Sequence, residues 1–519
     1  MVGVDGVVTE PVRLADLLAA LSVTTDLAMG QAPEKAIRST VLAVEVARHL
    51  DLPDADVADV YYTTLLKHLG CTATAHEESV LFGPDERRMR AVAERTDDAK
   101  MREALALFGT VGRGAGLGRV GHVARAVTTG SGATQLIFRA VCEVGARMAA
   151  RLDLGEGVER ALYQATERWD GKGGPHKLAG EQLSAATRIA EPATQAVIFH
   201  RLGGVEMMLD MAAQRAGGMV DPAAAEAVRA VGPAVLARLD EEDPWAAVLE
   251  AEPEPVRAIA PDRIERLAEA FADWVDLKSV TTLGHSTEVA ALASAAAAHL
   301  GVEDPTTVRI AGLLHDLGRA AVATGVWERP GPLSTSEWEQ VRLHAYHTER
   351  ICSRSPVLAP IGRLAAMHHE RHDGSGYHRG SSAADLPAAA RLLAVADTYQ
   401  AATQHRMHRP ARSPDEAADV VMAEVATGRF DPECARAVLE AAGRPPARAR
   451  DTWPAGLSER EVEVLRLLSR GLSNKQIASE LMISPRTAEH HVQHIYTKIE
   501  ASTRAAAAMF AMEHGLLRS

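Results

Sequence analysis

Residues 368–378 read HHERHDGSGYH, and residues 165–175 read ATERWDGKGGP. Both carry the frame Asp-Gly-x-Gly, at 373–376 and 170–173, but the paired histidines His368 and His369 of the later stretch stand opposite Ala165 and Thr166. An aspartate followed by two closely spaced glycines predicts a tight turn. The shared frame therefore speaks for a repeated fold, and the unshared histidines for chemistry that only one copy performs.

Two further pairs match in the same order: LLKHLG at 65–70 with LLHDLG at 313–318, and VDPAAAEAV at 220–228 with FDPECARAV at 430–438. One module is thus used twice, over about residues 10–245 and 258–442. The acidic, proline-bearing stretch 250–262 joins the copies, and GRPPARARDTWPAG at 443–456 reads as an extended connector to a short tail. Segments 264–275, 288–299 and 307–314 place apolar residues three and four apart, and no long alternating run occurs. The expected fold is all-α: tandem helical domains, 1–250 and 257–442, and a C-terminal helical domain at 457–519.

A chain of 519 residues has room for several cores. Its four cysteines lie far apart with no CxxC pair, which excludes a thiolate zinc site and fits a reducing compartment. The first thirty residues lack the basic start and apolar run of a signal peptide, and no apolar run approaches membrane-spanning length. A cytoplasmic protein without membrane association is expected. The net charge is −13, but residues 444–519 carry eleven Lys and Arg against eight Asp and Glu, so DNA contact is expected only there.

Eleven of the 21 histidines fall between His285 and His408. Neutral imidazoles and carboxylates at such density suit a site for more than one divalent ion, since a carboxylate has two oxygens to share. The ordered series GHS at 284–286, HDLG at 315–318, RLHAYHTERI at 342–351, HHERHDGSGY at 368–377 and AVAD at 394–397 resembles the HD-GYP family of metal-dependent phosphohydrolases, whose known members cleave cyclic di-GMP. The resemblance implies two divalent ions, iron or manganese, with His285, His315, Asp316 and Asp397 at one and His344, His368 and His369 at the other, and Asp316 shared. It assigns catalytic roles to Asp316 and to Arg319, which stands where the family has lysine, and nucleotide contacts to Gly376, Tyr377, Arg406 and Arg409. His378 replaces the proline of the family motif, and Thr281 stands where some members have a glutamate for a third metal. His299, His347, His372, His378, His405 and His408 match no ligand position. The first copy has Lys67 and His68 for His315 and Asp316, and Thr194 near the place of Asp397, so metal binding is not expected there.

In the tail, Ser458 with Glu461 has the spacing of a capping box, and GLSNKQIASELMISPRTAEHHVQHI reads as two helices, 474–481 and 485–499, with Ser484 and Pro485 opening the second. This segment resembles the LuxR-type helix-turn-helix. The resemblance implies double-stranded DNA as partner, a homodimer, and DNA contacts from Lys475, Ser484, Arg486, Thr487, His490, His491 and Lys498. The joint expectation is a cyclic dinucleotide phosphodiesterase coupled to transcription. The alternative is a regulator that binds the nucleotide with negligible turnover, favoured by Arg319 and His378.

Overall fold

The computed structural model describes residues 11–407, 409–443 and 453–517; most of the expected connector and His408 lie outside them. Apart from two-residue strands at Val12–Arg13 and Ala258–Ile259, the regular structure among the described residues is helical, as the periodicity requires. Two compact units result. One holds residues 13–258 with 323–325; the other holds 259–322, 326–443 and 453–517.

In the second unit the expected helices run Asp262–Asp276, His285–His299 and Pro305–Leu314, two or three residues longer at their starts than the apolar pattern indicates. The reason is capping. Asp304 accepts the amide of Thr307 at 3.0 Å ahead of Pro305, and Gly284 turns the chain with φ 72° before His285. Phe271, Trp274, Leu313, Leu314, Leu392 and Val395 are fully or nearly fully buried between these helices. The alanines of His285–His299 let its neighbour come close: a Cβ at Gly312 would sit 2.6 Å from the Cα of Ala290. That contact fixes the helix bearing His285 against the helix that His315 caps.

The first unit repeats the plan with Lys35–His49 and Asp54–Leu65 around Leu17, Ile37, Leu42, Tyr61 and Tyr62. Its end is less of a free connector than its acidity suggests: Glu252 is buried and accepts the Tyr62 hydroxyl at 2.6 Å and the Arg13 Nε at 2.5 Å.

The Asp-Gly-x-Gly frame is built identically in both copies. Asp373 accepts the Ser375 amide at 2.9 Å, and Asp170 the Lys172 amide at 3.1 Å. Gly374 and Gly171 have φ of 79° and 70°. A Cβ at Gly376 would lie 2.5 Å from the Cα of Glu370, and one at Gly173 2.6 Å from the Cα of Glu167. Those glutamates, which the sequence reading passed over, are buried and hold the returning strand of the loop: Glu370 accepts from the amides of Arg379 and Ser381, Glu167 from that of His176. Asp431 and Asp221 cap the helices Pro432–Ala442 and Pro222–Glu241, each tied to an arginine, Arg391 and Arg188.

The tail forms four helices, Glu459–Ser469, Asn474–Glu480, Pro485–Lys498 and Arg504–Glu513, around Leu465, Ile477, Val492, Ile495 and Phe510. The capping box of Ser458 and Glu461 is present, and Ser484 caps Pro485–Lys498 through the Thr487 amide at 3.0 Å. No helix among the described residues is long and apolar enough to cross a membrane.

Candidate metal centre and tail surface

His315 caps the C-terminal end of the helix Pro305–Leu314, and Asp316 opens a 3-10 turn, Leu317–Ala321, that doubles back on the helix Thr335–Cys352. Gly318 permits the approach, since a Cβ there would fall 1.9 Å from the carbonyl oxygen of His344. Thr348 ties the two together, donating to the His315 carbonyl at 2.8 Å and accepting the Gly318 amide at 3.0 Å. The same fold of the chain that places Asp316 therefore places His344 beside it.

All seven residues assigned as ligands converge, and all but the half-buried His369 are buried. The Asp316 Oδ2 lies 3.8 Å from His285 Nε2 and 3.5 Å from His315 Nε2. Its Oδ1 lies 3.4 Å from His344 Nε2 and 3.8 Å from His368 Nε2. One oxygen faces each set. Asp397 likewise reaches both sides, with Oδ1 3.1 Å from His285 Nε2 and Oδ2 3.6 Å from His369 Nδ1. Ligating atoms of His285, His315 and Asp316, and of His344, His368 and His369, form two groups each compact enough for one ion.

Hydrogen bonds on the far side of the rings decide what these atoms can do. The Nδ1 of His315 donates to the Gly312 carbonyl and that of His368 to the Ala365 carbonyl, both at 2.7 Å, and that of His344 donates to Val341. A carbonyl only accepts, so each Nδ1 carries the proton and each Nε2 presents a lone pair. The Nε2 atoms of His344 and His368 stand 2.9 Å apart, and the Nε2 of His315 has no hydrogen-bond partner among the described residues. Converging lone pairs with carboxylate oxygens behind them fit a cation and little else. Burial favours the neutral rings: it depresses the pKa of His285, His344 and His369, and takes His368 to about 3. Burial by itself would raise Asp316 and Asp397, but the surrounding imidazoles, and for Asp316 also Arg319, outweigh it and hold both well below the usual carboxylate range.

Arg319 donates to Asp316 Oδ2 at 2.8 Å, and its guanidinium carbon lies 4.3 Å from the centre of the Trp327 ring. Tyr377 lies against His369, with ring centres 4.7 Å apart, and edge-on to Trp338. Arg406 reaches toward Gln404, whose amide oxygen accepts from His285 Nδ1 at 3.0 Å; burial, and then Arg319, push the Arg406 pKa down to about 10. Arg409 does other work than the resemblance assigns. Its guanidinium binds the carbonyls of Ala401, Ala402 and Gln404, closing the end of the helix Ala388–Thr403. Gly376 has its close approach to Glu370 as a sufficient reason to be glycine. His378 lies beside Tyr346 and Glu349, and His299 pairs with Glu440. Sequence reasoning missed Trp327 and Gln404, because neither belongs to a motif of charged or ligating residues.

The first copy now gives its full set of counterparts. Lys35 opens its helix as His285 does, following Glu34 at φ 72° where the second copy has Gly284 at φ 72°. A Cβ at Gly70 would meet the Val141 carbonyl at 1.9 Å, which puts Val141 in the place of His344. Among its described residues no cluster of ligating side chains remains. Instead Lys35 and His68 bind the Glu94 carboxylate at 2.7 and 2.8 Å, and Lys67 binds Glu191.

In the tail, Arg486, Thr487 and His490 are exposed along Pro485–Lys498 and His491 is half-buried, while Lys475 and Ser484 are exposed nearby. Lys498, though exposed, is engaged with the capping box, its ammonium 2.7 Å from Glu461 Oε2 and 2.9 Å from the Gly456 carbonyl. The exposed Gln493 and His494 extend the same face and were not foreseen.

Residues 269–434 match the family described as HD domain, and residues 455–511 the family described as bacterial regulatory proteins, luxR family. The chain is 29% identical over 437 residues to the 3′3′-cGAMP-specific phosphodiesterase 3 of Vibrio cholerae, covering 82% of this chain and 94% of that one. It is 37% identical over 171 residues to a cyclic di-GMP phosphodiesterase of Pseudomonas aeruginosa, covering 32% of this chain and 41% of that one. A crystal structure of a cyclic GMP-AMP-specific phosphodiesterase of V. cholerae superposes with a TM-score of 0.58 at 25% identity, over 84% of this chain and 99% of that one. The chain thus joins a segment that matches the HD domain family, residues 269–434, to one that matches the luxR family, residues 455–511, and the relatives named are phosphodiesterases of cyclic dinucleotides.

Proposed function

We propose that residues 257–442 hydrolyse a cyclic dinucleotide, cyclic di-GMP or a relative such as 3′3′-cGAMP, and that occupancy or turnover of this site alters DNA binding by residues 457–519. The observation that carries the reading is Asp316, whose two oxygens face two separate sets of histidine lone pairs. The sets are His285, His315 and Asp397 on one side and His344, His368 and His369 on the other, for two ions, iron or manganese. When bound, such ions supply a water of lowered pKa and offset the charge of the phosphodiester. The substrate class is supported by the names of the relatives, which are phosphodiesterases of cyclic dinucleotides.

The chain's own residues divide the remaining work. Tyr377 and Trp338 offer flat faces for a base next to His369. Trp327 Nε1, buried with no acceptor among the described residues, offers a donor, and Arg406 a second positive charge. Arg319 holds Asp316 in place and adds charge where the leaving oxygen develops. Full-length protein loaded with manganese or ferrous iron should linearise cyclic di-GMP or 3′3′-cGAMP. Arg319→Ala should lower kcat by roughly 10- to 100-fold at unchanged metal content. Loaded wild-type protein that binds both nucleotides and cleaves neither would favour the binding-only reading.

For the tail we propose a DNA-binding homodimer, acting in the cytoplasm, that presents the face with Arg486, Thr487 and His490 to the major groove. Arg486→Ala should change which duplexes are preferred in a selection assay. Lys498→Ala should act through stability, since it breaks the bond to Glu461. Burial would raise the Glu461 pKa, but its bonds to Lys498 and Ser458 bring it to about 2, against an ordinary value of 4.5. The stabilisation is therefore complete above the ordinary value and lost as pH falls toward 2. Hydrogen-exchange protection in 457–517, taken relative to the intrinsic rate at each pH, should fall over that window in wild type and change less in Lys498→Ala.

A further inference from the structure

The first copy has lost the ligands but not the hollow. A cavity of 460 Å³ opens beside Lys35, and its rim carries Arg87, Arg88, Arg95 and Arg201 against a single acid, Asp85. That acid is already committed, accepting Arg87 Nε at 3.3 Å and the Arg88 amide at 3.4 Å. No carboxylate among the described residues pairs with the side chains of Arg88, Arg95 or Arg201. Guanidiniums gathered at one opening repel one another, and for Arg88, Arg95 and Arg201 no carboxylate among the described residues offsets the charge.

The location is informative. Lys35 holds the position of His285, and Gln31, also on the wall, that of Thr281. Arg201 follows Arg188 by thirteen residues, as Gln404 follows Arg391, and so takes the place of the residue that holds His285. The cavity thus stands where the second copy has the approach to its histidines, with lysine in place of His285 and arginine in place of the glutamine that holds that histidine. Fixed positive charges in that place suit the same kind of ligand, a phosphate ester, because arginine binds phosphate oxygens in pairs. Val92, Val197 and Leu202 give an apolar wall, and the volume falls within the range of small-molecule sites, about 300–1,000 Å³. A bare phosphate would leave that wall unused.

We infer that this cavity binds a phosphate-bearing nucleotide and holds it without hydrolysis. Retention intact follows from the absence of any lone-pair set: Lys35 and Lys67 are bound to Glu94 and Glu191 and would repel a divalent ion. The inference does not depend on whether the second copy turns over.

Calorimetry on the full-length Asp316→Ala chain in chelator, with cyclic di-GMP, 3′3′-cGAMP and ATP as separate probes, tests it. At least one probe should bind, and adding Arg95→Glu and Arg201→Glu together should weaken that binding at least tenfold. Both arginines are exposed, so their reversal leaves the core intact; an unchanged circular dichroism spectrum checks this, and Arg95→Gln with Arg201→Gln should give a smaller loss in the same direction. Binding that survives the charge reversal undiminished places the ligand elsewhere and overturns the inference. So does failure of all three probes to bind more tightly than about 1 mM.

Discussion

Asp316→Ala abolishes turnover: kcat/KM for the cyclic dinucleotide falls by more than about 10³-fold, equivalent to about 4 kcal/mol of transition-state stabilisation, and the metal content of the purified chain falls with it. The expectation rests on the position of this carboxylate, whose separate oxygens lie within 4 Å of His285 and His315 on one side and His344 and His368 on the other. Alanine also strips Arg319 of its buried partner, which disturbs the fold around the site as well. Asp316→Asn separates the causes. The amide matches the carboxylate in size but carries no charge and only one acceptor oxygen, so it cannot serve both sets. Loss of metal and activity in a normally folded Asp316→Asn chain supports the shared-ligand role, and full activity in that variant would end it.

Gly318→Ala is expected to be nearly as damaging, by a steric route. The added methyl would meet the His344 carbonyl oxygen at 1.9 Å and the Thr348 amide nitrogen at 2.8 Å. Both are backbone atoms of a helix and cannot rotate aside. Overpacking of this kind costs about 1–3 kcal/mol and sometimes more, and a backbone clash belongs at the upper end. To relieve it, the turn that bears Asp316 must move off the helix that bears His344, so activity should fall along with the melting temperature. Gly70→Ala imposes the same clash on Val141 in the first copy and should speed hydrogen exchange within 13–258. Unchanged melting and exchange in the two variants would mean that these turns are looser than the structure shows.

How much of this could be read in advance depended on the kind of residue. The cluster of histidines and aspartates was legible because a divalent site needs imidazoles and carboxylates in number, and few structural reasons put His368 beside His369. The helices were legible because their apolar faces repeat. The jobs of the arginines and lysines were not. Arg409 and Lys498 carry charges that suit phosphate, but each has carbonyls or a carboxylate within reach that the linear order does not reveal. Lys35 and Val141 were invisible as counterparts of His285 and His344, since neither keeps the chemistry of the residue it replaces, and only the shared turn at φ 72° and the shared glycine contact identify them. Glu167 and Glu370 stood in plain view within both opening stretches. Their importance lies in backbone amides that they reach nine residues on, which residue type alone does not announce.

The buried lysines of the first copy carry one more implication, about supply. Lys35 and Lys67 draw Glu94 and Glu191 together with cations that are part of the polypeptide. The second copy gathers lone pairs that only an ion from outside can reconcile, and an ion that binds the native state alone stabilises it in proportion to its availability. In a cell short of metal, the two halves of one chain would part company: translation alone completes the first, while the second waits on the nutrient state of its surroundings.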